Sequence, residues 1–322
     1  MIVTVTLNPA IDQTLVLPRF VAGDTIRVKA SRFDPGGKGI NVSRVIRTLG
    51  GESLAMGFAP GGRGRYIEQT LQAHTPQSHG IACDFVHTRG ETRTNITILD
   101  ETRHMHTILS DPGPDTDPRA VEQLKARLRK RLRAGDWLVL AGSIPPPIDP
   151  EVYAQIVSEA HERGAHTVLD ADGAALEAGV SARPELVKAN RRELERLVGR
   201  HLDDEKSTLE AAEMVHRQGI KRVVVTRGRE GAVAVSDHRW LRGVAPRVRS
   251  VSAVGSGDSL LAGVVLTLSQ GGSMEDGLRL GIAAGTATVL TPGTELCHRR
   301  EVDILLPRVK IQPIDSPVAC GG

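Results

Sequence analysis

The chain has 322 residues, of which 40% are hydrophobic and 25% are charged, the balance of an ordinary globular protein with room for one large core. Lys and Arg number 41 against 38 for Asp and Glu, so the formal net charge is only +3. That charge is too small to indicate a nucleic-acid partner or an acidic membrane surface, and no apolar run reaches membrane-spanning length.

The first ten residues predict a buried strand and turn rather than a signal peptide, because they contain no basic segment and no small-residue cleavage site. The cysteines Cys83, Cys297 and Cys320 are isolated and lack metal-ligand spacing, which is typical of free thiols in a reducing compartment. We therefore expect a cytoplasmic protein.

Short apolar runs alternate with helical segments along most of the chain. The runs predict buried strands at 2–7, 138–141, 167–169, 186–187 and 222–225. The segments between them predict helices at 39–49, 118–133, 150–163, 191–198, 208–218, 258–268 and 274–290. This alternation predicts an α/β fold in three layers, with a central, mostly parallel sheet covered by helices on both faces.

Two segments, 13–33 and 81–109, alternate like strands without intervening helices. We expect them to form a small β-sheet that acts as a lid, within a single domain spanning residues 1–311. The last residues, 312–322, are expected to form a loose tail.

The segment Asp34 to Asn41 places adjacent glycines, Gly36 and Gly37, before a predicted helix, with Lys38 next to them. It lacks the spacing of a nucleotide-binding P-loop. Adjacent glycines let a backbone approach a ligand closely, and an Asn such as Asn41 can bind sugar hydroxyls, but a tight turn before a helix gives the same pattern. Asp12 follows the first strand, where it could bind a hydroxyl or form an Asx turn.

The strongest local pattern is Gly255-Ser256-Gly257-Asp258, which is followed by an apolar helical run. Glycines at the start of a helix let its amides converge on an anion. A carboxylate beside such an anion hole is what phosphoryl transfer to a hydroxyl needs, because Asp258 can accept the proton. The alternative is that Asp258 only caps the helix.

Several motifs occur together in one order: TLNPAID, DPGGKGIN, ETRTNI, AGSIPP, KANRREL, VTRGREGAV and AVGSGDS. This combination resembles the PfkB-type, ribokinase-like sugar kinases, in particular their phosphofructokinase and tagatose-6-phosphate kinase branch. The matches run from residue 1 to about residue 305. The resemblance implies an ATP-dependent kinase with a ribokinase-like fold and a small β-sheet lid.

The resemblance also implies a role for individual residues. Asp258 would be the catalytic base, and Gly255, Ser256 and Gly257 would form the anion hole. Mg²⁺ would be held through water by Asn190 and Glu193, and the nucleotide would contact Lys188, Asn190, Thr226 and Gly228. The acceptor sugar would contact Asp12, Gly36, Gly37, Lys38, Asn41 and Ser143.

Arg27 and Arg93 match lid arginines that hold the phosphate of the acceptor in this branch. A guanidinium binds phosphate with two parallel hydrogen bonds, which supports a phosphorylated acceptor; the alternative is that each is a surface residue of the lid. The resemblance implies fructose 6-phosphate as acceptor, with fructose 1-phosphate and tagatose 6-phosphate as alternatives. A kinase of unphosphorylated sugars or nucleosides and a non-catalytic sugar-phosphate-binding regulator also remain open.

The resemblance further implies a homodimer formed through the lids, since a lid sheet would expose an apolar face in a monomer. A potassium ion beside the anion hole is known in relatives, but it is bound there by backbone carbonyls that side chains do not reveal. Departures from the family pattern include Ser256, Ala189, Ala253 and Pro147, and none of them removes the base or the phosphate-binding residues.

Overall fold

The computed structural model describes residues 1–73, 80–103, 105–237 and 239–314. In these ranges the chain forms a large twisted sheet, a small second sheet, and helices that cover both faces of the large one. No helix of the described ranges is long and apolar enough to cross a membrane.

The central sheet is parallel over most of its width, and only the last three strands on one side are antiparallel. From one edge to the other its strands are β14 (Lys310–Ile314), β13 (Arg239–Val244), β12 (Ala232–Ser236), β11 (Arg222–Thr226), β10 (Leu186–Asn190), β9 (His166–Asp170), β8 (Trp137–Ala141), β1 (Ile2–Thr6), β4 (Leu54–Pro60) and β5 (Ala82–Thr88). Every residue of β1 and β8 is buried, because helices cover both faces.

The helices divide into two layers, each packed on its own apolar core. One face is covered by α3 (Arg119–Arg131), α4 (Val152–His161), α5 (Ala174–Ser181), α6 (Arg191–Val198) and α7 (Glu205–His216). The other is covered by α1 (Lys38–Thr48), α2 (Gly61–Gln72), α8 (Ser256–Ser269), α9 (Met274–Thr288) and α10 (Arg299–Leu305). The α/β fold with three layers is therefore confirmed.

Helices α8 and α9 pack with their backbones in direct contact. A methyl group on Gly263 would lie 2.6 Å from the amide nitrogen of Gly281, and one on Gly281 would lie 2.5 Å from the carbonyl oxygen of Leu260. Any larger residue at either position would push the helices apart. This contact fixes the helix that carries Asp258.

The small sheet, called the lid sheet below, contains β3 (Ala30–Gly36), β2 (Ala10–Leu17), β6 (Arg93–Asp100) and β7 (Met105–Leu109), in that order. Directly paired residues share a face, so the pairing of Asp12 with Asp34 and Asn95 places these three side chains on one face. Gln13, the next residue of β2, pairs with Phe33 and Ile96, and Ile96 pairs with Leu109. Phe33 and Leu109 therefore lie on the opposite face of the lid sheet.

The structure changes three of the predicted boundaries. Residues 82–88 pair with β4 at the edge of the central sheet, so the lid part of segment 81–109 begins at Arg93. Asp12 lies within β2, because that strand begins at Ala10 rather than at residue 13. Residues 312–314 belong to β14 rather than to a tail, and 315–322 lie outside the described residues.

The seven predicted helices are all present, with small shifts at their ends, whereas α2, α5 and α10 were not predicted. Strands β4, β12, β13 and β14 were also not predicted. The thiols of Cys83 and Cys297 are free, as expected, and Cys320 lies outside the described residues.

Candidate active site

The candidate site lies where the carboxyl ends of β9 and β10 meet the first turns of α1 and α8. In open α/β sheets this edge is where ligands bind, because the strands stop and the helix N-termini point outward. Asp170 ends β9, Lys188 lies in β10, Lys38 begins α1 and Asp258 lies in the first turn of α8. Of these four side chains, Asp170, Lys188 and Asp258 are buried and Lys38 is partly exposed.

Asp258 is buried, and Asn41 donates a hydrogen bond of 2.8 Å from Nδ2 to its Oδ2. Burial and, to a smaller extent, the neighbouring Asp170 carboxylate raise the pKa of Asp258, Lys188, Lys38 and Asn41 act in the opposite direction, and the net pKa is about 6. The cap of α8 is Gly255, and Asp258 makes no capping hydrogen bond, so the alternative of a mere helix cap is wrong. A buried carboxylate with a pKa near neutrality suits a general base.

Asp258 belongs to an inner charged cluster, which we define as Lys38, Asp170, Lys188, Glu193 and Asp258. The fully buried Asp170 accepts from Lys38 Nζ at 2.7 Å and from Lys188 Nζ at 2.9 Å. Lys38 Nζ also lies 3.4 Å from Glu193 Oε1. These contacts link α1, β9, β10 and α6 at one point.

Within the cluster, the charges around Asp170 and Lys38 hold these two groups ionised. Burial raises the pKa of Asp170, but the ammonium groups of Lys188 and Lys38 outweigh it, and the net shift is downward. Burial likewise opposes the charge of Lys38, yet the carboxylates of Asp170, Glu193 and Asp258 raise its pKa overall. Two fixed ammonium groups therefore lie beside Asp258.

The predicted anion hole at Gly255, Ser256 and Gly257 opens α8, and Gly255 adopts a left-handed φ of 75°. The first amides of a helix have no intrahelical acceptor and can bind an anion. A methyl group on Gly257 would lie 3.0 Å from Lys188 Nζ, so this ammonium rests against the same turn. The turn and Lys188 together form a positive site next to Asp258.

Asn190 and Glu193 form a capping box at the start of α6. Asn190 Oδ1 accepts from the Glu193 amide at 2.9 Å, and Glu193 Oε2 accepts from the Asn190 amide at 2.7 Å. Thr226 ends β11 and Gly228 lies in the following turn, so both predicted nucleotide contacts are beside this cap.

The donor set of this cap fits a metal held through water. The side chains of Asn190 and Glu193 each accept a backbone hydrogen bond in the cap. Their oxygens are therefore fixed in place and less available to coordinate a metal ion directly. Across the described ranges no three His, Cys, Asp or Glu side chains are grouped so that they could hold a metal ion directly. Mg²⁺ bound to phosphate oxygens and water is compatible with this arrangement.

Asp12, on the lid sheet, is the predicted acceptor-binding carboxylate. Asn95 donates to its Oδ1 at 2.9 Å, and a methyl group on Gly36 would lie 2.2 Å from Oδ2. Burial raises the pKa of Asp12, an effect that Asn95 and the charges of Arg93 and Arg44 reduce. Gly36 is therefore required by the close approach of Asp12 itself.

Gly37, Lys38 and Asn41, which also belong to the 34–41 motif, contact other protein side chains in the structure. Gly37 has a φ of 113°, and a methyl group there would lie 2.7 Å from Thr6 Cγ2. Asn41 contacts the base, as described above, and Lys38 lies in the inner charged cluster rather than beside Asp12.

Arg93 begins β6 and points at two backbone carbonyls. Its Nη1 donates to Asp111 at 2.7 Å and its Nη2 to Asn8 at 3.1 Å, while Nε is buried without a partner in the described part of the chain. Asn8 also donates from Nδ2 to Ser143 Oγ at 3.2 Å. Burial lowers the pKa of Arg93, and Asp12 and Asp111 counteract this. A guanidinium bound only by carbonyls retains a charge that can attract an anion.

Arg27 is not brought to this site. It is exposed in the connection between β2 and β3. Lys29, two residues later, donates its amide to the carbonyl oxygen of Val16 at the far end of the lid hairpin. Asp12 lies four residues nearer the site than Val16, a separation on the order of 14 Å along a strand. Within one chain, Arg27 and Asp12 are at opposite ends of the lid.

Three residues of the site were not predicted from the sequence: Asp170, Asn95 and Asn8. Asp170 follows the predicted strand 167–169, and a carboxylate at that position is the signal that could have found it. Asn95 and Asn8 gave no comparable signal, because their roles arise from pairing between strands that are distant in sequence.

A buried carboxylate beside a glycine-rich helix N-terminus, with two lysine ammonium groups next to it, is the arrangement expected of a phosphotransferase that acts on a hydroxyl group. The comparisons with known proteins agree with this class. Residues 5–300 match the model of the pfkB family carbohydrate kinases. The chain belongs to this family, and it is a carbohydrate kinase.

Relatives with different names are about equally similar to the chain. The 1-phosphofructokinase of Borreliella burgdorferi is 32% identical over 98% of this chain and 99% of its own length. The ATP-dependent 6-phosphofructokinase isozyme 2 of Escherichia coli is 34% identical over 92% and 94%. The tagatose-6-phosphate kinase of Staphylococcus epidermidis is 31% identical over 97% and 99%.

Among solved structures, phosphofructokinase-2 from Escherichia coli in complex with substrates and products superposes with a TM-score of 0.89 and 32% identity. The match covers 95% of this chain and 98% of that one. Another structure of the same enzyme is described as a complex with potassium.

Proposed function

We propose that the protein transfers the γ-phosphoryl group of ATP to a hydroxyl of a ketohexose phosphate, with fructose 6-phosphate as acceptor and fructose 1,6-bisphosphate as product. The observation that carries this proposal is the position of Asp258. Its carboxylate lies between the anion hole and Asn41, with two ammonium groups beside it. The relatives' names all denote kinases of phosphorylated sugars, which supports this class of acceptor.

In the proposed reaction, Asp258 takes the proton of the attacking hydroxyl while the phosphoryl group moves into the turn at Gly255–Gly257. Lys188 rests against that turn, so its charge is available where negative charge accumulates on the transferred oxygens. Asp12 binds and orients the acceptor from the lid, and lid closure excludes water.

We assign the phosphate of the acceptor to Arg93. Its guanidinium is held by two carbonyls, faces the same side as Asp12, and has no carboxylate partner among the described side chains. A phosphate on the acceptor would pair with this half-buried guanidinium, which is hydrogen-bonded only to carbonyls, whereas a free sugar offers it no charge. Arg93 therefore favours a phosphorylated acceptor over a free sugar or nucleoside.

We further propose a homodimer formed through the lid sheets. The lid face opposite Asp12 carries the exposed side chains of Phe33, Leu109 and Met105, and an apolar face of this kind is covered in a stable protein. Arg27 lies at the far end of the hairpin, so it can contribute to phosphate binding only in the site of a partner subunit.

ATP and Mg²⁺ are the proposed cofactors. Mg²⁺ would be held through water by Asn190 and Glu193, and it would neutralise charge on the donor phosphates. Potassium is a further candidate ion near the start of α8, supported by the relative that binds it. Lys188, Thr226 and Gly228 would contact the donor.

The acceptor is tested by ADP release from MgATP with fructose 6-phosphate, fructose 1-phosphate, tagatose 6-phosphate, fructose and ribose. We expect the highest kcat/KM with fructose 6-phosphate. A preference for another of the phosphorylated ketoses would correct the acceptor but keep the class. Activity on the free sugars alone would contradict the role given to Arg93, and ligand binding without any ADP formation would indicate a regulator instead.

A further inference from the structure

The lid face that carries Asp12 also carries a second buried carboxylate. Asp34 of β3 pairs directly with Asp12 of β2, and the two residues are only 4% and 8% exposed. Like charges on directly paired residues destabilise a sheet, and a buried charge is costly unless other groups compensate it. The partners of Asp34 therefore bear on how this part of the lid is kept in place.

Asp34 is bound both by the lid and by the body of the protein, that is, by the central sheet with its helices and connections. Arg32, also in β3, donates to its Oδ1 from Nε at 3.1 Å and from Nη2 at 2.9 Å. Thr294, in the segment after α9, is buried and donates from Oγ1 to Oδ2 at 2.9 Å. Arg44 of α1 adds its charge, with Nη2 3.6 Å from Oδ1. Two of these three partners lie outside the lid.

The segment 293–295, called the 293–295 loop below, contacts the lid at two further points. A methyl group on Gly293 would lie 2.3 Å from Oγ1 of Thr14 in β2, and Arg32 Nη1 donates to Glu295 at 2.5 Å. The buried Ser252 donates from Oγ to the carbonyl oxygen of Gly293 at 2.7 Å, in the connection that leads to α8. The loop is thus bound to the lid on one side and to the chain that enters α8 on the other.

We propose that Asp34 is a positioning residue, which fixes Asp12 relative to the body of the protein by binding Thr294 and Arg44. Asp34 keeps these two partners only while the lid rests on the 293–295 loop and on α1. A buried carboxylate without them would be left partly unsatisfied, so this position of the lid is favoured. Asp34 acts on the acceptor through Asp12, and the inference rests on the proposed function in that respect.

Removing the hydrogen bond from Thr294 tests the proposal without changing any charge. Thr294→Val should raise the KM of fructose 6-phosphate, or of the ketose phosphate preferred in the panel above, about fivefold, because the placement of Asp12 is relaxed. The KM of ATP and kcat should stay within about twofold of the wild-type values, because the reacting groups lie in the body.

Thr167→Val is the matched control. Thr167 is also a buried threonine, and its Oγ1 bonds His161 and accepts from the amide of Glu185, but it lies near the amino end of β9, away from the lid. It should leave the acceptor KM unchanged. An unchanged acceptor KM in Thr294→Val, or equal changes in kcat and in both KM values, would overturn the proposal.

A double-mutant cycle asks whether Thr294 acts through Asp34. Asp34→Ala should raise the acceptor KM about tenfold or more, because all of its partners lose their acceptor. The double variant Asp34→Ala/Thr294→Val should then be no worse than Asp34→Ala. Effects that multiply would show that Thr294 acts independently and would contradict the proposal. Thermal unfolding checks that Asp34→Ala is folded; if it is not, hydrogen exchange of Thr294→Val decides.

Hydrogen exchange, measured by mass spectrometry, tests the position of the lid without any reaction. In Thr294→Val the amides of β2 and β3 should exchange about threefold faster or more than in the wild type, whereas those of β8 and β9 should be unchanged. Equal exchange in the two proteins, or uniformly faster exchange, would overturn the proposal. If the wild type transfers no phosphoryl group to any acceptor, the proposed function fails, while the exchange of the lid amides still decides whether this contact holds the lid.

Discussion

The inner charged cluster and the lid sheet contribute to the same site but are built in opposite ways. Four of the five cluster residues are buried, Lys38 is partly exposed, and all of them come from helices and strands that pack on the central sheet. The lid sheet is exposed along all of β7 and carries large apolar side chains toward solvent. In the proposed function, the chemistry thus rests on the packed body of the protein, whereas recognition of the acceptor rests on a sheet that has little core of its own.

The comparison has a consequence for how variants should behave. A change in the cluster removes a group from the reacting atoms and should lower kcat. A change in the lid should act on the KM of the acceptor or on assembly and leave the chemical step nearly intact. Five predictions examine this division, beginning with the largest expected effect.

Replacing the proposed base should have the greatest effect. We expect Asp258→Asn to lower kcat by about 10³- to 10⁴-fold, because the hydroxyl proton loses its acceptor, while both substrates still bind. Steady-state kinetics and calorimetric binding measure the two parts. Asp136→Asn is the control, since Asp136 is equally buried but lies at the opposite end of the sheet, bound to the amino group of Met1. Near-normal turnover of Asp258→Asn would refute the assignment.

A second prediction concerns the ammonium beside the anion hole. Lys188→Met should lower kcat by about a hundredfold, because one charge that faces the transferred phosphoryl group is lost. Lys125→Met is the matched control: Lys125 is 6% exposed and Lys188 4%, but Lys125 pairs with Gln155, Glu122 and Glu159 on the outer side of α3 and α4. Equal losses of kcat in both variants would show that the effect is only structural.

The third prediction turns to the lid. Arg93→Gln should raise the KM of the phosphorylated acceptor by about 10- to 100-fold with little change in kcat, because charge-assisted hydrogen bonds to phosphate are lost. Arg222→Gln serves as control, since Arg222 also has a buried Nε atom without a partner among the described residues but lies at the amino edge of the sheet. An unchanged acceptor KM in Arg93→Gln would favour a kinase of unphosphorylated sugars.

The fourth prediction uses the pKa of Asp258. The base must be deprotonated to accept a proton, and its pKa is raised to about 6 in the folded protein. At saturating substrates, kcat should therefore be nearly constant above pH 7 and fall as the pH drops below 6, to about a tenth at pH 5. Circular dichroism at each pH separates this titration from unfolding. A flat profile down to pH 5 would contradict the raised pKa.

The smallest effect on catalysis is expected from the outer face of the lid. Leu109→Ser should weaken the proposed dimer, which sedimentation analysis would measure, while kcat at high protein concentration stays close to the wild-type value. Ile108→Ser is the neighbouring control: Ile108 is 47% exposed and Leu109 52%, but Ile108 lies on the lid face that carries Asp12. Equal dissociation of both variants, or of neither, would contradict a dimer through this face.

Half of the central sheet, β1 and β8 to β11, was predictable because these strands are short, apolar and separated by helices. The position of Asp258 beside the turn at Gly255–Gly257 was also predictable, since these residues are adjacent in sequence and their proximity needs no tertiary information. The edge strand β5 was assigned to the wrong sheet, because strand alternation does not indicate which sheet a strand joins. Strand β12 was missed even though all five of its residues are buried.

The unpredicted part of the site depends on contacts between distant segments. Asp170 binds two lysines that lie 132 residues before it and 18 residues after it, and only the folded sheet brings them together. The glycines near Asp12 were expected to face a ligand, but the structure shows Gly36 accommodating the Asp12 carboxyl and Gly37 packing on Thr6. Arg27 could not be placed, since the length of a hairpin determines how far its tip lies from the site.

The contact between α8 and α9 also has a consequence for how the sequence can vary. Gly263 and Gly281 touch no proposed substrate, yet a single added methyl group at either position would overlap the backbone of the neighbouring helix. Because α8 carries Asp258, such a change would displace the proposed base as well as weaken the core. In a saturation mutagenesis experiment these two glycines should tolerate substitution as poorly as the active-site residues. Both the α8–α9 contact and the active site would therefore appear as positions that do not tolerate substitution. Such an experiment would not distinguish the residues of one from those of the other.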